Sequence, residues 1–148
     1  KNCQDNTYSA TVQNLNKGQS ENQLFAPGQA QLWIPVENKF LFVGGRNLKR
    51  ASEPLRCSFL YSVVNPDDIE QLEDIKRARE QCSLCVVSAS SLAVSSEKTD
   101  GSKIIVVGGY LNSSSNQYQN MCETLDLFKG KWSPSSRLLK DRLSPHLI

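Results

Sequence analysis

Twice in this chain an apolar, strand-length run ends on a pair of glycines. The first is Lys39-Phe40-Leu41-Phe42-Val43-Gly44-Gly45; the second, 64 positions later, is Lys103-Ile104-Ile105-Val106-Val107-Gly108-Gly109. A short, nearly continuous apolar run is the pattern of a strand packed on both faces. A glycine pair at its end permits positive φ and the close approach of a neighbouring backbone. The surrounding events repeat in the same order. Leu32–Val36 precedes the first run across the polar pair Glu37-Asn38, and Cys82–Val87 precedes the second. After each glycine pair comes a polar stretch, Arg46–Arg56 or Tyr110–Asn120, and then a third strand, Cys57–Val64 or Cys122–Phe128. A turn follows, Asn65-Pro66-Asp67-Asp68 or Lys129-Gly130-Lys131, both with turn chemistry. A short apolar segment then begins at Ile69 or Trp132, and each unit closes on a basic residue, Arg79 or Arg142. Two offsets that agree within one residue mark an internal repeat.

One local signal competes with this reading. Ile69, Leu72, Ile75 and Ala78 recur at helical spacing within residues 67–81, and Asn65 or Asp67 could cap a helix there. The equivalent stretch of the second unit, from Trp132, carries Pro134 and several serines and is a poor helix. The repeat therefore predicts strand over 68–73 and a turn, with room for a helical one, over 75–80. A β-sandwich or α+β binding domain built on a 67–81 helix is the alternative architecture.

Composition narrows the function classes. A length of 148 residues with 39% hydrophobic and 22% charged residues fits a soluble globular domain and excludes collagen, coiled coil and wholesale disorder. No apolar run approaches the ~20 residues of a membrane-spanning helix. A net charge of +2 gives no footprint for nucleic acid. The five cysteines (Cys3, Cys57, Cys82, Cys85 and Cys122) are odd in number and scattered, which points to reduced thiols and a cytoplasmic location. Cys82 and Cys85 lie three apart on an expected strand, hence on opposite faces, and His146 is the single histidine, so no metal site is expected. Nor do the residues present a nucleophile–base pair or a phosphate-binding loop. Asp67, Asp68, Glu70, Glu73 and Asp74 read as a solvated face, and no cofactor and no enzymatic role are expected.

The ordered set of residues resembles a kelch repeat protein. In that family an Arg precedes the inner strand, the second strand ends in Gly-Gly, the third contains Tyr or Glu, and a Trp stands on the outer strand. Arg79, Gly108-Gly109, Glu123 and Trp132 match one unit, with Arg142 opening the next. The preceding unit keeps Gly44-Gly45 and Tyr61 but has Ile69 at the Trp position and Pro27-Gly28 where the Arg falls. The resemblance spans about residues 24–148. It implies an all-β chain forming a partial β-propeller of four-stranded antiparallel blades. Residues 24–78 would form one blade and 79–141 a second, with 142–148 starting a third and 1–23 containing an outer strand of the blade before. Expected strands are 29–35, 39–44, 57–64 and 68–73, then 82–88, 103–108, 121–128 and 131–136. Trp132 is expected to pack between blades with Gly109 admitting it, and Arg79 with Glu123 to form a polar tie.

The function this implies is a non-catalytic protein-interaction module or scaffold. Partners would meet loop residues at the blade ends: Arg46, Asn47, Lys49, Arg50, Tyr110, Asn112 and Tyr118. Loops on a rigid scaffold are where such contacts concentrate. Self-association, or pairing with further blades, would cover the open edges of so short an array. The resemblance also allows a substrate-receptor role in ubiquitin ligation and, further off, a propeller oxidase or sugar isomerase.

Overall fold

The computed structural model describes residues 25–35, 37–47, 53–88, 102–112 and 117–145. Among them the chain is all-β, in two antiparallel sheets, neither of which closes on itself. The first is a four-stranded meander of β1 (Ala30–Ile34), β2 (Lys39–Val43), β3 (Ser58–Ser62) and β4 (Ile69–Gln71). The second joins β5 (Ser83–Ser88), β6 (Ser102–Val107), β8 (Gln117–Asp126) and β9 (Lys131–Arg142), with β7 (Tyr110–Asn112) paired to the start of β8.

Strand registers confirm the repeat position by position. Phe42 pairs with Phe59 as Val106 pairs with Glu123, and Tyr61 pairs with Ile69 as Leu125 pairs with Trp132. Ile69 thus holds the Trp132 position, as expected. Two other assignments change. The residue equivalent to Glu123 is Phe59, and Tyr61 corresponds to Leu125. The three backbone positions Gly28, Gln81 and Ser144 all have left-handed φ (71°, 51° and 42°), and each of the later two bonds to the one before: Gln81 N–H to the Gly28 carbonyl, Ser144 N–H to that of Gln81. Counting back from them, Ala26 stands where Arg79 and Arg142 stand, rather than Pro27-Gly28.

The sheets differ from the sequence expectation in extent. Tyr110–Asn112 adds a strand, β8 starts at Gln117 rather than 121, and β9 runs to Arg142 rather than 136. The expected polar loop of 110–120 is therefore largely a hairpin, because the chain doubles back along β8 directly after the glycine pair. Pro134 is tolerated because β9 is an edge strand with irregular register opposite Met121–Glu123. Leu143–Pro145 begin no strand; residues 1–24, 89–101 and 146–148, with the preceding outer strand and the rest of the third unit, lie outside the described residues.

Helical periodicity over 67–81 loses to tertiary pairing. After β4 the backbone is spent on partners far along the chain: Ile75 N–H on the Arg56 carbonyl, Arg79 N–H on that of Leu55, and Glu73 N–H on that of Gly130. Ile75 is fully buried. A helix would turn it away from that site.

A single core lies between the sheets. Ala30, Leu41, Val43 and Leu60 on one face of the first sheet meet Ile104, Val106, Leu125 and Trp132 on one face of the second. Trp132 is 2% exposed and donates its indole N–H to the Ser58 hydroxyl at 2.9 Å, so it does stand between the sheets. Gly109 is not what admits it; the neighbours of Gly109 are the Glu80 carbonyl and Cys82. The opposite face of the first sheet is aromatic. Phe42 stacks on Phe59 at 5.1 Å, and Phe25 meets Phe42, Phe59 and Tyr61 edge-on.

Arg79 ties the units together. It is 0% exposed and reaches from the tail of the first unit into the second sheet. Its guanidinium donates to the Gly108 and Met121 carbonyls (3.1 and 3.0 Å) and to Glu123 at 2.6 Å. Glu123 also accepts the backbone N–H of Lys76 and Arg77. Every charge in this tie has a hydrogen-bonded counterpart, the condition under which buried ions persist. Arg142, in the equivalent position, is exposed.

Nearly all the difference in length between the units falls in one connection. Four residues separate the paired Ile34 and Lys39 between β1 and β2; fifteen separate the paired Val87 and Lys103 between β5 and β6.

Candidate functional site

The two glycine pairs end β2 and β6 at the same side of the molecule and set up equivalent crossings. Gly44 and Gly108 have φ of 68°, and Gly45 and Gly109 have φ of 105° and 98°, values open to glycine and strained for other residues. A Cβ on Gly108 would lie 2.6 Å from the Arg142 carbonyl oxygen, and one on Gly44 closer still to that of Arg79. The bare backbone lets Gly45 N–H donate to the Arg79 carbonyl and Gly109 N–H to that of Arg142, both at 2.9 Å. One residue on, Arg46 N–H bonds to the Pro27 carbonyl, and Tyr110 N–H to that of Glu80. Arg46 and Tyr110 are thus equivalent residues delivered to one end by rigid strands.

Their side chains converge with Glu80 and Tyr118. Arg46 grips both carboxylate oxygens of Glu80, through Nε at 2.5 Å and Nη2 at 2.7 Å. Glu80 is almost wholly buried and Arg46 partly exposed, so the pair fixes the guanidinium in place. The hydrogen bond to Glu80 and its negative charge raise the Arg46 pKa above its ordinary value. Tyr110 and Tyr118 lie across the β7–β8 hairpin with rings 4.9 Å apart and hydroxyls at 3.5 Å. That hydroxyl contact, with lesser desolvation, pushes the Tyr110 pKa up, so the phenol stays neutral. Tyr118 is 38% exposed.

Of the expected contact residues, the structure brings Arg46, Tyr110 and Tyr118 together. Asn47 follows Arg46, with its N–H bonded to the Glu53 carbonyl. Asn112 pairs through β7 with Gln117, and Lys49 and Arg50 lie outside the described residues. Glu80, which orients Arg46, was not legible: its equivalent, Pro27, shares no chemistry with it, so the repeat marks nothing at that position. Beside Tyr118 runs an open cleft of about 440 Å³, lined by Arg77, Gln119, Arg137 and Asp141 among others.

Burial pushes the pKa of both Cys57 and Cys82 up to about 11, so these two thiols stay protonated at neutral pH. Among the described residues no three Cys, His, Asp or Glu side chains gather as a metal site would need, and no helix is long and apolar enough to cross a membrane.

No protein-family model and no curated protein matches the chain. Solved structures do match. One is described as a novel fungal alcohol oxidase with catalytic diversity among the AA5 family, in complex with copper. It superposes with a TM-score of 0.61 at 18% identity over 83% of this chain. The chain spans 24% of that structure's length, and the likeness is one of fold.

Proposed function

We propose that this chain is a kelch-like propeller segment acting as a non-catalytic protein-interaction module, with its partner meeting the glycine-pair end. The observation carrying this reading is the patch of Arg46, Tyr110 and Tyr118, held by strand ends and by the buried Glu80 carboxylate. Tyr and Arg are the residues that most often carry interface energy, and a preorganised patch loses little entropy on binding. The propeller part rests on the repeat. The first sheet lays one face on the second, and the far face of the second sheet repeats the apolar pattern of that face. On the far face of the second sheet Cys85, Val87, Ile105 and Val107 stand where the first sheet uses Leu32, Ile34, Leu41 and Val43 against the core. A face of that composition fits a further sheet.

The fungal neighbour's copper belongs to that protein; an imidazole-rich copper centre would need more than the single histidine, His146, of this sequence. The test is affinity capture with mass-spectrometric identification, comparing the native chain with Tyr110→Ser/Tyr118→Ser. Loss of a specific partner with an unchanged melting temperature is the expected result. A partner retained at full occupancy would overturn the assignment of this end.

A further inference from the structure

The cleft beside the tyrosine pair has donors in excess of acceptors. Arg77 enters it from the tail of the first unit, and Arg137 from β9; neither guanidinium has an ion-pair or hydrogen-bond partner among the described residues. Between them on β8 stands Gln119, 3% exposed, whose Nε2 is without a hydrogen-bond partner among the described residues. Buried amide donors are nearly always paired, and Gln119 is among the residues that line the cleft. Asp141 is the single carboxylate of the lining, so the cleft carries a net positive charge. Tyr118 belongs both to this lining and to the patch described above, which makes the two surfaces continuous.

From this we infer that the cleft binds carboxylate side chains of an acidic, extended stretch of the partner, with Arg77 and Arg137 as the charge-bearing contacts. Guanidinium groups present forked N–H donors that match a carboxylate in pairs. A volume of about 440 Å³ accommodates a few side chains and no folded domain. Because the cleft is open and wet, affinity will fall with salt. The inference rests on the interaction-module reading and deepens it: the tyrosines would give a nonpolar anchor, and the arginines the sign of the neighbouring charge.

The experiment uses fluorescein-labelled hexaglutamate and hexaglutamine peptides, followed by anisotropy at low and at physiological salt. Hexaglutamate should bind at least tenfold more tightly than hexaglutamine, and Arg77→Gln/Arg137→Gln should abolish that preference. Both residues are exposed, so the melting temperature should not move. Lys103→Gln, an exposed charge on β6 away from the cleft, should leave binding unchanged. Equal binding of the two peptides, or a preference that survives the double substitution, would overturn the inference. Displacement of hexaglutamate by inorganic phosphate at lower concentration than by acetate would overturn the carboxylate assignment in favour of a phosphate. Capture of a partner that depends on Tyr110 and Tyr118 but not on Arg77 and Arg137 would sink this inference and leave the interaction-module reading standing.

Discussion

Replacing Arg79 with methionine tests whether the two sheets are fastened by the buried ionic tie. The substitution keeps most of the aliphatic stem and removes the cation. It strands Glu123, which then has only the Lys76 and Arg77 amides, and frees the Gly108 and Met121 carbonyls. Removing one partner of a buried pair costs about 3–5 kcal/mol. In a domain of this size each kcal/mol moves Tm by about 2–4 °C, so a fall on the order of 10 °C is expected. The first sheet supplies the control. At the positions of Arg79 and Glu123 it carries Ala26 and Phe59, the latter covered by the edge of Phe25. Arg79→Ala/Glu123→Phe copies that solution and should recover at least about 1 kcal/mol over the sum of the single changes, since residues sharing one network are non-additive. Recovery will be incomplete, because Ala78 stands where Phe25 would be. Urea denaturation of Arg79→Met and of the four proteins of the Arg79→Ala/Glu123→Phe cycle gives the numbers. A loss below about 1 kcal/mol for Arg79→Met, or strict additivity in the double variant, would refute the tie.

Gly44→Ala should destabilise more than Gly108→Ala, since its Cβ would press harder on a backbone carbonyl, that of Arg79, which itself carries the tie; both lose stability and ligand-free melting curves rank them. Alkaline pH should also destabilise the fold. Cys57 and Cys82 titrate near 11 when folded against an ordinary value of 9.0, so the unfolded chain releases protons first and stability falls as pH rises from about 9 to 11. Below pH 9 these two thiols should contribute no slope, and both should resist iodoacetamide at neutral pH until the chain unfolds; rapid labelling of the native protein contradicts their burial.

The legible part of this fold was whatever repeats. Glycine pairs, strand order and the Ile69–Trp132 equivalence followed from offsets, since a Gly-Gly crossing imposes the same backbone demand each time. What could not be read was substitution within the repeat. Phe59 for Glu123 and Ala26 for Arg79 exchange an ionic tie for an aromatic cluster, so aligning by residue type slipped the match to Tyr61 and to Pro27-Gly28. The 67–81 stretch misled for a different reason: helical spacing of Ile69, Leu72, Ile75 and Ala78 is real, but Ile75 lies in the core between the sheets and Leu72 packs against it. In the candidate site, Arg46 and Tyr110 were found because they directly follow the glycine pairs, and Tyr118 because it lies in the polar stretch after the second. Gln119 and Arg137 belong to strand extensions that a repeat-derived boundary cut off.

The uneven connections have a practical consequence. Fifteen residues between Val87 and Lys103 do for the second sheet what four do between Ile34 and Lys39 for the first, while the strands they join keep equivalent registers. Chain length there is therefore uncoupled from the geometry of the sheets. Doubling the length of a chain connection adds only about 0.6 kcal/mol of closure entropy. The connection between β5 and β6 is therefore the point at which an epitope, a fluorescent reporter or a tether can be added while the strand registers are kept.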